Sequence, residues 1–265
     1  MNLIRTESLS VSLDGVTILD DVSFSLAKGE IVGLVGPNGA GKTTVLKTLM
    51  GLLKAERGSV EVFGKPLGSF SRREIARKLG YLPQETEIHW PLAVERIVAL
   101  GRVPYLMPWE DLGEDDERII ADAMRATDTL PLRKRRVDRL AGGEKALVMI
   151  ARLLAGEPEI LLADEPVQGL DPSHSLQVME FLRNVAGNGR GVLVVLHDLA
   201  LASRFCHRIL LLHGGKLMAS GRPEEVFSPA NLKTSYHIEA KYGNGDGFYV
   251  VPWRRIAGGS DHAKK

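Results

Sequence analysis

A single cysteine, Cys206, occurs in the 265 residues. No internal disulfide can form, which fits a reducing compartment. No stretch approaches the roughly 18 uncharged apolar residues that a membrane span needs. The longest candidate, "GVLVVLHDLALA", is broken by His197 and Asp198. The start, "MNLIRTESLSVSL", has no apolar core long enough for a signal peptide. Net charge is only +1, so no overall basic field points to nucleic acid. Internal repeats and low-complexity segments are also missing. What remains is an ordinary globular composition, 44% hydrophobic and 25% charged. Any membrane role must therefore act through a partner.

Patterning along the chain predicts an α/β fold. The first thirty residues alternate as antiparallel β strands around "LSVSL" and "ILDDVSFSL". "IVGLV" (Ile31–Val35) is apolar throughout and reads as a buried parallel strand. A helix is expected from about Thr43 to Leu52, a strand over Ser59–Gly64 and a capped short helix at "SRREIARKLG". From about Pro91 to Pro158 the period turns helical, and afterwards strands and helices alternate again. "ILLAD" (Ile160–Asp164) and "GVLVVLH" (Gly191–His197) are the next buried strands. "RILLLHGGKLMASG" reads as a hairpin turning at Gly214–Gly215. Such βα alternation implies a mostly parallel sheet with ligands at the carboxyl ends of its strands. The helical stretch is an insertion into it.

"GPNGAGKT" (Gly36–Thr43) fits the G-x-x-x-x-G-K-[ST] pattern between a buried strand and a helix. Gly36, Pro37, Asn38, Gly39, Ala40 and Gly41 form a loop whose amides can cradle phosphates. Lys42 reaches the outer phosphates, and Thr43, followed by Thr44, offers a hydroxyl to Mg²⁺. "ILLADEP" ends a strand in two acids. Beside a phosphate loop, Asp164 suits the metal and Glu165 the attacking water. His197 ends the "VVLHD" strand. An isolated histidine is more often packed or superficial, but this strand can lie beside that of Asp164. Gln84, after "LGYLP", offers a neutral amide oxygen to Mg²⁺ or to water. A second Gly-Gly helix start sits at "RLAGGEKALVMIARLLA" (Arg139–Ala155), a further anion-favouring nose.

Taken in order, these stretches resemble the ATP-binding subunits of ABC transporters over nearly the whole chain. Gln84 matches that family's Q-loop and "LAGGE" (Leu140–Glu144) its LSGGQ-type stretch. Asp164 and Glu165 match its metal-binding and catalytic acids. Asp171 in "GLDP" matches its D-loop, and His197 its switch histidine. The resemblance implies a P-loop NTPase core with ATP and Mg²⁺ as ligands. It also implies an ATP-dependent head-to-tail homodimer. In that pair Ala141, Gly142, Gly143 and Glu144 of one copy face the nucleotide on the other's loop, and Asp171 couples the two sites. The expected organisation is one domain over 1–257. Its core is 1–90 and 159–235, with a helical subdomain at 91–158 and a C-terminal extension at 236–257. Residues 258–265 are expected to be a disordered tail.

"WPLAVERIVALGRVPYL" and "VLHDLALASRFCHRILLLHGGKLMASGRPEEVF" resemble the importers of iron chelates, haem and cobalamin. This implies permease subunits, a substrate-binding protein and a place at the cytoplasmic face of the membrane, with no nucleic acid. The stretch near Trp90 and Tyr105 is expected either to face the permease or to pack within the helical insertion. Two outputs stay open: a soluble ABC ATPase acting on nucleic acid or ribosomes, and a weakly hydrolysing nucleotide switch. "RKRR" (Arg133–Arg136) reads first as a solvated linker.

Two positions depart from the family pattern. Many relatives carry an aromatic for adenine near Leu13, which is aliphatic here. Most carry Ser at Ala141, whose hydroxyl joins the amides at the partner's γ-phosphate. Such a charge-assisted bond is worth roughly 1.5–3 kcal/mol. After Glu144, "KALV" replaces a more polar run.

Overall fold

Every position of three strands is buried: β3 (Ile31–Val35), β7 (Ile160–Asp164) and β8 (Gly191–Val195). Alternate side chains enter opposite cores, which is why these runs are apolar throughout. Ile31, Val35, Leu161, Ala163, Val192 and Val194 join one cluster. Val32, Leu34, Ile160, Leu162, Leu193 and Val195 join the other. The computed structural model describes residues 1–84, 91–245 and 247–256. Trp90 and the predicted 258–265 tail lie outside the described residues.

The chain opens with β1 (Asn2–Leu13) and β2 (Val16–Ala27), then β3 and helix α1 (Lys42–Leu49). Next come β4 (Arg57–Val62), β5 (Lys65–Pro66), α2 (Arg72–Lys78) and β6 (Leu79–Leu82). The helical stretch contributes α3 (Val94–Ala99), α4 (Glu114–Ala126) and α5 (Gly142–Ala155). After β7 follow α6 (Pro172–Gly187), β8, α7 (Leu199–Phe205), β9 (Arg208–His213) and β10 (Lys216–Gly221). The chain then forms α8 (Pro223–Val226), α9 (Pro229–Tyr236) and a ribbon of β11 (Ile238–Gly243) and β12 (Tyr249–Arg255). The main sheet runs β10-β9-β3-β8-β7-β6, parallel except for the β9–β10 hairpin. An antiparallel sheet, β2-β1-β4-β5, covers one face. Among the described residues, no helix is long and apolar enough to cross a membrane.

Several boundaries differ from the sequence expectation for local reasons. Helix α1 ends at Leu49 rather than Leu52 because Gly51 turns left-handed (φ 68°). Its amide donates to Thr48 O and that of Leu52 to Lys47 O, which satisfies the last carbonyls. Strand β4 stops at Val62 because Phe63 and Gly64, both at positive φ, turn the chain into β5. The ribbon β11–β12 has no counterpart in the sequence expectation. Its β12 strand buries only Val250, so its alternation is faint.

A buried arginine clasps the helical stretch. The Arg102 guanidinium donates to Asp116 Oδ1 (2.7 Å), to Glu157 Oε2 (2.8 Å) and to the terminal carbonyl of α5 at Ala155 (2.9 Å). Hydrogen bonding from Arg102 holds the Asp116 carboxyl below its ordinary value. A carboxyl lowered in the folded state stabilises above its unfolded value and loses that effect as pH falls through the folded one. Arg102→Met is therefore expected to cost about 2 kcal/mol at neutral pH, because it strands the buried Ala155 carbonyl and removes the donor of the partly covered Asp116 carboxylate. Urea unfolding followed by circular dichroism measures this. The gap between variant and wild type should shrink as pH drops below the ordinary Asp value of 3.8.

Candidate functional site

Parallel register places four chain turns at one sheet edge. Leu82 pairs with Ala163, Asp164 with Val195, and Leu34 also with Val195. The residues just past these strands, Gln84, Glu165, His197 and the Gly36–Gly41 loop, therefore emerge together. A cavity of about 500 Å³ lies between them. Asn38 to Thr44, Gln84, Glu165, Gln168 and His197 line it, with Leu13 and Ile18 at its aliphatic side.

The loop is already curled. Gly41 caps α1 in the left-handed region (φ 100°), where a Cβ would sit 2.6 Å from Leu19 Cδ2. Only glycine fits both demands. The Lys42 ammonium donates to the carbonyls of Gly36 (2.8 Å) and Pro37 (3.0 Å). Burial pulls its pKa below the ordinary value, and Glu165 and Asp164 act against that pull.

Asp164 is almost wholly buried at the tip of β7. Burial pushes its carboxyl above the ordinary value, as does Glu165, while Thr43, Tyr81 and Lys42 act in the opposite direction. The Tyr81 hydroxyl approaches Asp164 Oδ2 at 3.5 Å and is itself pushed up to about 12 by burial and by this carboxylate. Asp164 Oδ1 is buried without a hydrogen-bond partner among the described residues. An orphaned carboxylate oxygen, with the Thr43 hydroxyl acting on the same group, is a donor set that suits Mg²⁺.

Glu165 stands at φ 52°, a strained conformation for a side chain of its size. Its amide donates to Val195 O at 3.2 Å. Its Oε1 pairs with His197 Nε2, and its Oε2 accepts from Gln84 Nε2 at 2.9 Å. Gln84 also donates to Gln168 Oε1 at 3.1 Å. Gln84 is thus tied to the acid beside the metal position rather than hydrogen-bonded to Asp164. Sequence reasoning missed Gln168 and Tyr81. Tyr81 sits opposite Leu162, two residues before Asp164 and so on the same face of the sheet, and strand pairing is the signal that places it.

The second nose stands apart. Ala141, Gly142, Gly143, Glu144 and Asp171 do not line the cavity. Glu144 Oε2 accepts from the Ala141 amide at 3.0 Å, but the reciprocal side-chain cap is missing at Ala141. Asp171 is exposed and caps α6 by accepting from the His174 amide at 3.1 Å. Arg133, Arg135 and Arg136 each face an acid, Glu95, Glu144 and Asp138 respectively, so three of the four charges in "RKRR" are offset locally. Tyr105 packs inward: its hydroxyl donates to Gly156 O at 2.9 Å and Arg102 lies 4.0 Å from its ring centre. Leu100, Val103, Met107 and Trp109 of the same stretch are exposed instead.

The ABC transporter family pattern matches residues 19–168, more than half of the chain. The chain belongs to the ABC transporter family. As an ABC ATPase it hydrolyses ATP. It is 42% identical over 233 residues to the hemin import ATP-binding protein HmuV of Thermobifida fusca, covering 88% of this chain and 81% of that one. The iron(3+)-hydroxamate import ATP-binding protein FhuC of Bacillus subtilis is 36% identical over 242 residues, covering 91% and 90%. A bacterial ABC transporter cassette solved as a dimer superposes with a TM-score of 0.73 at 26% identity, covering 83% of this chain and 98% of that one.

For this ABC ATPase, the aliphatic side of the cavity sets a measurable limit. Leu13 is 38% exposed and offers no π face. Leu13→Tyr is expected to tighten ATP binding roughly two- to tenfold, the range of an added aromatic stacking contact. Calorimetric titration with ATP and GTP measures both the gain and any change in base preference.

Proposed function

We propose that this chain is the ATP-hydrolysing subunit of an importer for haem or iron-chelate substrates. Two copies act as a head-to-tail pair beneath permease subunits at the cytoplasmic face of the membrane, and a substrate-binding protein supplies the cargo. The names of its relatives support the substrate class. One observation carries the pairing: the α5 nose and the loop of Lys42 are separate in the same chain. Each nose needs another chain to complete a site. The exposed Leu100, Val103, Met107 and Trp109 are the surface we assign to the permease.

The chemistry follows from the side chains. Phosphate oxygens replace the Gly36 and Pro37 carbonyls as acceptors for Lys42. Loop amides from Gly39 to Thr44 surround the β-phosphate. Thr43 and Asp164 would hold Mg²⁺, with Gln84 at its edge; bound there, the ion neutralises charge on the phosphates. Glu165 orients a water, whose oxygen bonds to the γ-phosphorus as the bridging bond to ADP breaks. The proton released by that water passes to Glu165. His197, now on Glu165, is placed to turn toward the γ-phosphate. Gly142 and Gly143 of the partner close over the same phosphate, and closure follows because ATP binds the paired state more tightly.

Purification from native membranes tests the reading, with a co-purifying permease and ATP turnover stimulated by haem or an iron chelate as the expected result. Recovery with RNA and salt-sensitive RNA binding would refute it. Two variants test the parts. Glu165→Gln should abolish hydrolysis yet trap an ATP-bound dimer in sedimentation. Adding Ala141→Ser should tighten that dimer about ten- to a hundredfold per site, from a new bond to a charged phosphate. The same serine caps α5 and should raise monomer stability by about 1 kcal/mol.

A further inference from the structure

His174 lies outside the cavity and outside every motif described so far, yet it joins the two features that the cavity excludes. It sits in the first turn of α6. Its amide donates to Asp171 Oδ1 and its ring Nδ1 pairs with Asp171 Oδ2. That double contact fixes the ring. The ring then lies directly on Gly143, the second residue of α5. A Cβ built on Gly143 would fall 2.2 Å from His174 Cδ2, 2.4 Å from Cγ and 2.6 Å from Nε2. Gly142 meets the same corner through Leu170, 4.0 Å from its Cβ position. The nose of α5 is thus propped against the corner at Asp171, and the prop is an imidazole that leaves no room for any side chain at 143.

We propose that His174 is a positioning residue that sets the Gly142–Gly143 amides relative to Asp171, and so acts on the nucleotide held by the partner's loop rather than by its own. This rests on the head-to-tail reading above. The bond to Asp171 orients the ring, and the ring face holds the helix start. A change at 174 therefore alters the site that this chain completes in trans. Its own Lys42 loop, which His174 does not line, is unaffected.

The test uses the full chain. In isolated monomer, His174→Ala should change ATP affinity by less than twofold. In the Glu165→Gln background, it should weaken ATP-driven dimerisation at least tenfold. Mixed dimers then locate the effect. A copy carrying Lys42→Ala has no working loop of its own, so the pair retains one nucleotide site, built from the other copy's loop and this copy's α5 nose. His174→Ala placed on the Lys42→Ala copy should lower single-site turnover tenfold or more. Placed on the other copy it should leave turnover within twofold. His174→Asn keeps a nitrogen for Asp171 but lacks the ring over Gly143, and it should share the defect. It also replaces the alanine variant in all these assays if circular dichroism shows that alanine disrupts the fold. Equal losses in both placements, a weakened monomer affinity, or a silent asparagine variant would each overturn the inference. If Glu165→Gln with intact His174 stays monomeric in ATP, the pairing itself fails and the inference falls with it.

Discussion

Strand alignment is the constraint on which the site depends. Hydrogen bonding between β3, β8, β7 and β6 fixes where each strand ends, and each ends at the same edge. A phosphate loop, two acids, a histidine and a glutamine come from four separate parts of the chain. No local interaction gathers them. A slip of one residue in β7 would turn Asp164 to the opposite face of the sheet and place a neighbour at the tip. The two buried cores prevent that slip, because both faces of β7 are packed. Apolar burial far from the ligand thus controls polar geometry beside it.

Much of this was legible beforehand because parallel strands buried on both sides are written as uninterrupted apolar runs. Ile31–Val35 and Ile160–Asp164 have the same limits in sequence and structure. Glycine-framed turns were also readable, as at Gly214–Gly215 between β9 and β10. What escaped notice depends on contacts across the fold. Gln168 enters the site only because the chain folds back after Glu165, with the Gln168 amide donating to the Glu165 carbonyl at 3.1 Å. Tyr81 needed the pairing of β6 with β7. Tyr105, whose sequence setting left permease contact and internal packing equally open, is held by Arg102 and by a carbonyl fifty-one residues away.

The second nose shows how one substitution can act at two levels. Ala141 leaves α5 with half of a capping box: Glu144 reaches back, and nothing reaches forward. Within the chain, this loses one helix-end hydrogen bond. Between chains, in the proposed head-to-tail pair, it would remove a donor from the partner's phosphate. The backbone amides at Gly142 and Gly143 remain, so the anion-favouring character of the helix start persists. The exposed apolar surface of the helical stretch lies on the segment between α3 and α4, and Arg102 clasps that segment to α4 and the end of α5. That surface is therefore tied by one side chain to two helices of the insertion.

Lys42 adds a kinetic consequence. Its ammonium occupies the Gly36 and Pro37 carbonyls, so the loop carries its own internal placeholder for the incoming charge. The curl is preorganised, and the conformational entropy of ordering the loop is spent during folding rather than on capture of the nucleotide. Capture becomes an exchange of acceptors at one nitrogen. On the proposed mechanism, release of ADP would run the exchange backward, returning the ammonium to the two carbonyls. The same two bonds that mark the place of the phosphates also close the loop on itself before any nucleotide arrives.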